Sequence, residues 1–213
     1  MKKLRDPVSS ITHMIGAIAA IPGLVFLILY ALKYGTTVHL VSYIVFGISL
    51  ILLYSASATY HGVTVKDSII KVFRKIDHMM IFVLIAGTYT PICLVALKGT
   101  LGYALLITIW ALAIIGIVLK ALWMNMPRWV CSVIYIAMGW FALVAIVQLV
   151  SNLSTVALIL LLAGGLCYTI GGIIYGTKFT FINFKHFGFH ELFHIFVMFG
   201  SALHYFMVIK LIK

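Results

Sequence analysis

The chain consists of long apolar runs separated by short polar segments. Runs of about 20 residues are long enough to cross roughly 30 Å of hydrocarbon as a helix. The pattern predicts seven spans, at approximately residues 11–32, 39–60, 77–97, 101–121, 130–150, 154–176 and 188–210. The alternation of apolar and polar positions that is typical of membrane barrels is absent, so the spans are expected to be helices. We therefore expect an all-α bundle of seven transmembrane helices, forming a single domain over residues 1–213.

One boundary in this pattern depends on a short polar break. The apolar run from Val130 to Gly176 is too long for one span, and residues 151–154, which read Ser-Asn-Leu-Ser, divide it into two. Composition agrees with a membrane protein, since 64% of the residues are hydrophobic and 9% are charged. In soluble domains about a quarter of the residues are charged.

The net charge of +11 is distributed unevenly along the chain. A basic chain can bind nucleic acid, but here eleven of the cationic residues fall at the N-terminus or in the second, fourth and sixth loops. Four, Lys33, Lys98, Lys210 and Lys213, fall on the other side. This imbalance predicts a cytoplasmic N-terminus, an external C-terminus and a multi-pass protein of the cell membrane, with no nucleic-acid partner.

That topology brings polar residues of three distant segments to one membrane depth, near the inner leaflet. The second span descends toward the cytoplasm and ends with Ser57 and His61. The third span rises from the cytoplasm and opens with Asp77, and the seventh carries His190 and His194 in its first two turns. Ionisable groups are costly inside a bilayer, so their convergence indicates a functional site.

The three histidines suit a metal ion, with zinc as the first candidate. Two histidines four residues apart share one helix face, so His190 and His194 can bind a single ion together with His61. Three nitrogen ligands leave a fourth position for water, whose pKa zinc lowers to about 7. Asp77 is expected to hold this water or take its proton, and Ser57 to orient it or stabilise an oxyanion. The alternative is that the histidines bond backbone or water and that Ser57 bonds the carbonyl four residues back.

Other polar residues near this depth have two interpretations each. Glu191 matches the general base of the H-E-x-x-H motif, or it is a carboxylate that faces loop lysines. His13, His78 and His186 either contact the site or are solvated histidines at the interface. His204 lies about 15 Å farther along the helix than His194 and cannot share the metal.

These motifs resemble the hemolysin III branch of the progestin and adipoQ receptor family, within a superfamily of membrane hydrolases that includes alkaline ceramidases. The matches are residues 9–13, Ser57-x-x-x-His61, Asp77-His78 followed by residues 86–91, and His190-x-x-x-His194. The resemblance implies seven helices, a cytoplasmic N-terminus, and zinc at His61, His190 and His194 with Asp77 contacting zinc-bound water. The family often has Glu and Asn where this chain has Asp6 and Ser9, so no role for those two positions follows from it.

Two functional hypotheses remain open from the sequence. The first is a zinc-dependent hydrolase of an amide or ester bond in a membrane lipid near the inner leaflet. The second is a non-enzymatic protein, either a receptor-like regulator or a cytolysin, in which zinc is structural. Both give the protein a membrane lipid as substrate or ligand and the bilayer as its surroundings, and the pattern carries no signal for an oligomeric state.

Overall fold

A computed structural model of the chain describes residues 4–123, 125–180, 184 and 187–212. These residues form seven helices, each long and apolar enough to cross a membrane, so the predicted seven-helix fold is confirmed. The helices are α1 (Pro7–Tyr34), α2 (Thr37–Gly62), α3 (Asp67–Leu97), α4 (Gly99–Leu122), α5 (Arg128–Asn152), α6 (Thr155–Thr177) and α7 (Phe189–Ile209). Within the described ranges, β pairing is limited to an isolated bridge between Phe184 and Phe187.

The polar break predicted at residues 151–154 does separate two helices. α5 ends at Asn152, and Ser154 is the N-cap of α6, where its hydroxyl accepts a hydrogen bond from the Ala157 N–H at 3.2 Å. A serine at this position satisfies one of the backbone donors that the first turn of a helix leaves free.

The helix that carries the third predicted span, residues 77–97, begins ten residues before that span. α3 begins at Asp67, so Asp77 lies inside the helix and not at its opening. The added turns carry Lys71, Arg74 and Lys75, and a run of apolar residues cannot reveal a helical segment with this many charges. Such a segment is helical because it continues the hydrogen-bond ladder of the apolar turns that follow it.

The packing order brings the two ends of the chain together. α1 packs on α2, α2 on α3 and α3 on α4, whereas α5 packs on α6, α6 on α7, and α7 returns to contact α1. α3 is the most buried of the seven helices and also contacts α5. The end of α2 and the starts of α1, α3 and α7 therefore lie at the same end of the bundle.

α1 shows how this bundle sorts its residues. Large apolar side chains such as Ile15 and Ile18 are exposed, whereas Ser9, His13 and Gly16 are buried. In a bilayer the apolar side chains can face lipid, and small or polar residues let helices approach and bond one another. A buried polar face on a helix that is otherwise exposed points toward the functional interior.

A tyrosine satisfies the backbone where α5 loses its regular form. α5 changes to a 3-10 helix over Phe141–Ala145. The Tyr89 hydroxyl of α3 donates to the Gly139 carbonyl at 2.7 Å and accepts from the Ala142 N–H at 2.7 Å. Backbone groups freed within a membrane helix need partners of this kind, because no bulk water is present there.

Candidate metal centre

Three histidines from two helices converge at one end of the bundle. His61 lies in the last turn of α2, and His190 and His194 lie in the first two turns of α7. One ring nitrogen from each lies within 4.8 Å of the other two, and the Nε2 atoms of His61 and His190 are 3.1 Å apart. The three side chains are close enough to bind one metal ion.

Asp6 holds one of these histidines from outside the cluster. His61 Nδ1 donates to Asp6 Oδ2 at 3.0 Å, and the Asp6 N–H donates to the His61 carbonyl at 2.9 Å. A carboxylate on one ring nitrogen fixes the tautomer that leaves the other nitrogen free for a metal. Partial burial acts to raise the pKa of Asp6, but hydrogen bonds from His61 and Arg5 and their charges outweigh it, so this pKa lies below its ordinary value.

Glu191 has a structural partner on each of its oxygens. Oε2 accepts the Gly188 N–H at 2.9 Å, which caps α7, and Oε1 accepts the Ser9 hydroxyl at 2.8 Å, which ties α7 to α1. The Glu191 carboxylate thus fixes the start of the helix that carries His190 and His194. A general-base role for Glu191 stays a prediction, and of the loop lysines Lys185 lies outside the described residues.

A fourth histidine lies against the cluster. The His13 ring stacks on the His194 ring, with centroids 3.7 Å apart and planes 11° from parallel, and Tyr54 contacts it edge-on. His13 and His78 are 3% and 7% exposed, so the expectation that they are solvated interfacial histidines is wrong. The packing of α1 against α7 buries His13, and His186 lies outside the described residues.

The two predicted partners of the metal site also lie together. Ser57 and Asp77, on neighbouring helices, are both buried. With His190 and His194 they line a cavity of about 130 Å³ inside the bundle. Most of the cavity wall farther from these residues is apolar or aromatic.

His204 lies apart from the cluster, as the helical spacing predicts. Its Nε2 is 3.1 Å from the Leu161 carbonyl, and it lines the same cavity farther along α7. Sequence reasoning brought forward Ser57, Asp77, His190 and His194, which line the cavity, and His61, which completes the histidine cluster. It allowed for a contact of His13 with the site, but it missed the contacts of Asp6 and Ser9. The available signal was the helical spacing of Ser9 and His13, which puts two polar residues on one face of α1.

The fold and this cluster together define a seven-helix membrane protein with a histidine site at one end of its bundle. The family model described as Haemolysin-III related matches residues 1–205, and the chain belongs to this family. The resemblance inferred from the motifs is thus confirmed, as is the assignment to the cell membrane as a multi-pass protein.

Relatives extend from bacteria to mammals. The chain is 42% identical over 201 residues to the "Hemolysin-3 homolog" of Bacillus subtilis (strain 168), covering 94% of this chain and 91% of the relative. It is 41% identical over 201 residues to "Hemolysin-3" of Bacillus cereus, covering 94% and 89%. It is also 28% identical over 170 residues to the "Monocyte to macrophage differentiation factor" of Homo sapiens, covering 78% and 68%.

Proposed function

We propose that the protein is a zinc-dependent hydrolase that cleaves an amide or ester bond of a membrane lipid near the inner leaflet. The observation that carries this proposal is that His190 and His194, two members of the three-imidazole cluster, line the same largely apolar cavity as Asp77 and Ser57. The polar residues of such a site can activate a water molecule for attack, and the apolar walls can bind the acyl chain of a lipid.

The donor set fits zinc. Two nitrogens that are each 2.0–2.1 Å from a tetrahedral ion lie about 3.3 Å apart, which is close to the 3.1 Å between the Nε2 atoms of His61 and His190. The bond from His61 Nδ1 to Asp6 is the supporting contact that zinc-binding histidines usually have. Zinc held by three imidazoles supplies an activated water molecule at neutral pH.

The remaining residues divide the chemistry among them. Asp77 accepts the proton of the attacking water and returns it to the leaving group, and its burial keeps this proton away from bulk solvent. The Ser57 hydroxyl orients the Asp77 carboxylate or donates to the oxyanion that forms at the substrate carbonyl. His13 holds the His194 ring in place by stacking.

A second candidate follows from the names of the relatives. A relative with 41% identity is called "Hemolysin-3", so a membrane-damaging activity with a structural metal is the alternative. Under this alternative Asp77 has no proton to move, and its carboxylate matters for stability alone. The following experiment separates the two functions.

Asp77→Asn should leave the zinc content nearly intact, because Asp77 acts through water, yet reduce lipid hydrolysis by about 10²-fold or more. The measurement is zinc-dependent release of fatty acid from ceramides, N-acyl lipids and phospholipids in detergent or liposomes. Asp67→Asn is the matched control, because Asp67 is an exposed carboxylate in the first turn of the same helix. An absence of release from every lipid class, with zinc bound and the fold intact, rejects the hydrolase in favour of the second candidate.

A further inference from the structure

The chain has three arginines, and all of them lie at the end of the bundle that carries the histidine cluster. Arg5 is already occupied, since it bonds Asp6 at 3.1 Å and lies 4.2 Å from the centre of the Tyr60 ring. Arg74 and Arg128 lie on different helices, α3 and α5. Their surroundings indicate a second subsite beside the metal centre.

Arg128 lies over two aromatic rings that lead to the candidate metal ligands. Its guanidinium carbon is 5.9 Å from the centre of the Tyr175 ring and 5.4 Å from that of Phe189. Tyr175 lines the cavity, and its ring centre is 5.9 Å from that of His190. Arg128 is therefore separated from a cluster histidine by a single aromatic ring.

Arg74 approaches the same place from α3. It is half-buried and lies one helical turn before Asp77 and His78, on the same side of α3, and the centre of the His78 ring is 6.3 Å from that of the Tyr175 ring. Arg128 thus contacts Tyr175 directly, and Arg74 lies one helical turn from a histidine that neighbours the same ring, near the cavity that Ser57 and Asp77 line.

Among the described residues, neither Arg74 nor Arg128 forms an ion pair with a carboxylate. The four carboxylates are Asp6, Asp67, Asp77 and Glu191. Asp6 pairs with Arg5 and His61, Glu191 bonds Ser9 and Gly188, and in the described part of the chain no carboxylate lies within ion-pair distance of Arg74 or Arg128. Two half-buried guanidiniums in this position favour an anion from outside the protein.

We infer that Arg74 and Arg128 form a headgroup subsite for the phosphate of an inner-leaflet lipid, so that the substrate of the proposed hydrolase is a phospholipid. Guanidinium binds phosphate through paired hydrogen bonds, which an uncharged headgroup cannot match. The phosphate of a glycerophospholipid lies a few bonds from its ester carbonyl, so one molecule can span from Arg128 to the histidine cluster. That the bound lipid is a substrate rests on the proposed function. Binding of the lipid phosphate can be measured without any hydrolysis.

The test compares two lipids that differ in the phosphate alone. Ether-linked dioleyl phosphatidic acid and dioleylglycerol share their chains and cannot be hydrolysed at an ester. Native mass spectrometry of the purified, zinc-loaded protein with an equal mixture of the two lipids gives the preference for the phosphate. Arg74→Gln and Arg128→Gln should each reduce this preference about tenfold, the usual scale for losing a hydrogen bond to a charged group.

The controls separate a built subsite from general attraction to a positive surface. Lys71→Gln and Lys178→Gln remove one exposed positive charge each from the same end of the bundle and should leave the preference unchanged. Arg128→Lys should retain part of the preference that Arg128→Gln loses. The zinc content reports whether each variant retains its metal site.

Three outcomes overturn the inference: equal losses in the arginine and lysine variants, a preference for dioleylglycerol in the unmodified protein, or full displacement of the lipid by an equal concentration of inorganic phosphate. The last result would assign the arginines to a soluble phosphate. A preference that depends on the arginines, found in a protein that releases no fatty acid from any lipid, supports the subsite and rejects the hydrolase.

Discussion

Asp6 connects the first helix of the protein to a candidate metal ligand. Its carboxylate accepts from His61 Nδ1, and its backbone N–H donates to the carbonyl of the same residue. Because both bonds come from the residue that precedes α1, the start of α1 supports the metal site although it supplies none of the three ligands. His13 and Ser9 add two further contacts from α1 to α7.

Asp6→Asn should weaken zinc binding about tenfold or more, the usual cost of losing a carboxylate behind a ligating histidine. The asparagine keeps the size of the side chain but removes the negative charge that favours the bound form of His61. Competition with a chromophoric chelator measures the affinity, and Asp67→Asn is the control because Asp67 is an exposed acid in the first turn of α3. Equal zinc affinity in the Asp6 variant and the unmodified protein would remove Asp6 from the site.

The candidate site was predictable from the sequence where helical spacing and membrane depth determine position. His190 and His194 share a face because they are four residues apart, and Ser57 precedes His61 by the same interval. Asp6 and Ser9 contact residues 55 and 182 positions away, and no spacing rule covers such distances. These contacts depend on α7 returning to α1, which the apolar pattern does not reveal.

At the scale of elements, the close approach of α2 and α3 brings Ser57 to Asp77. Gly87 of α3 lies against Ser49 of α2, and a Cβ added at Gly87 would lie 2.6 Å from the Ser49 Cβ. No pair of carbon atoms that are not bonded can pack this closely, so α3 needs a glycine here. The sequence predicted both helices as spans, but not the point where they touch, because a lone glycine in an apolar run does not identify its partner.

Gly87→Ala should lower the free energy of unfolding by about 1–3 kcal/mol, the usual cost of overpacking. It should also lower the rate of hydrolysis, because any shift between α2 and α3 moves Ser57 relative to Asp77. Gly139→Ala is the matched control, since a Cβ built there meets no atom within 4 Å beyond its chain neighbours and the backbone of its own helix, and alanine is the better helix former by about 1 kcal/mol. Denaturant titration in detergent measures both variants, and equal stability of the two would show that the contact at Ser49 is not tight.

At the scale of the whole molecule, seven spans put the two termini on opposite sides of the membrane. The positive charge of the loops decides which side is which, and the end of the bundle with the histidine cluster is the positive one. One of the eleven cationic residues assigned to the cytoplasmic side, Lys120, does not lie in a loop. It is buried in the last turn of α4, with its Nζ 3.5 Å from the Cys131 Sγ. Four others, Lys2, Lys3, Lys185 and Lys213, lie outside the described residues.

Reporter fusions should find the N-terminus in the cytoplasm and the C-terminus outside. The physical reason is the retention of lysine and arginine on the cytoplasmic side during insertion. An alkaline phosphatase fusion, which is active outside, and a fluorescent protein fusion, which is fluorescent inside, report the two ends independently. The opposite orientation would put the histidine cluster near the outer leaflet and remove the inner leaflet from the proposed function.

The proposed chemistry depends on the metal, so the decisive measurement is the zinc content of the purified protein. Elemental analysis should find about one zinc per chain, since three imidazoles converge on one point. The double variant His190→Ala/His194→Ala should lose nearly all of it, whereas His204→Ala should keep it, because His204 lies on the same helix but bonds the Leu161 carbonyl. Full zinc occupancy in the double variant would contradict the site proposed here.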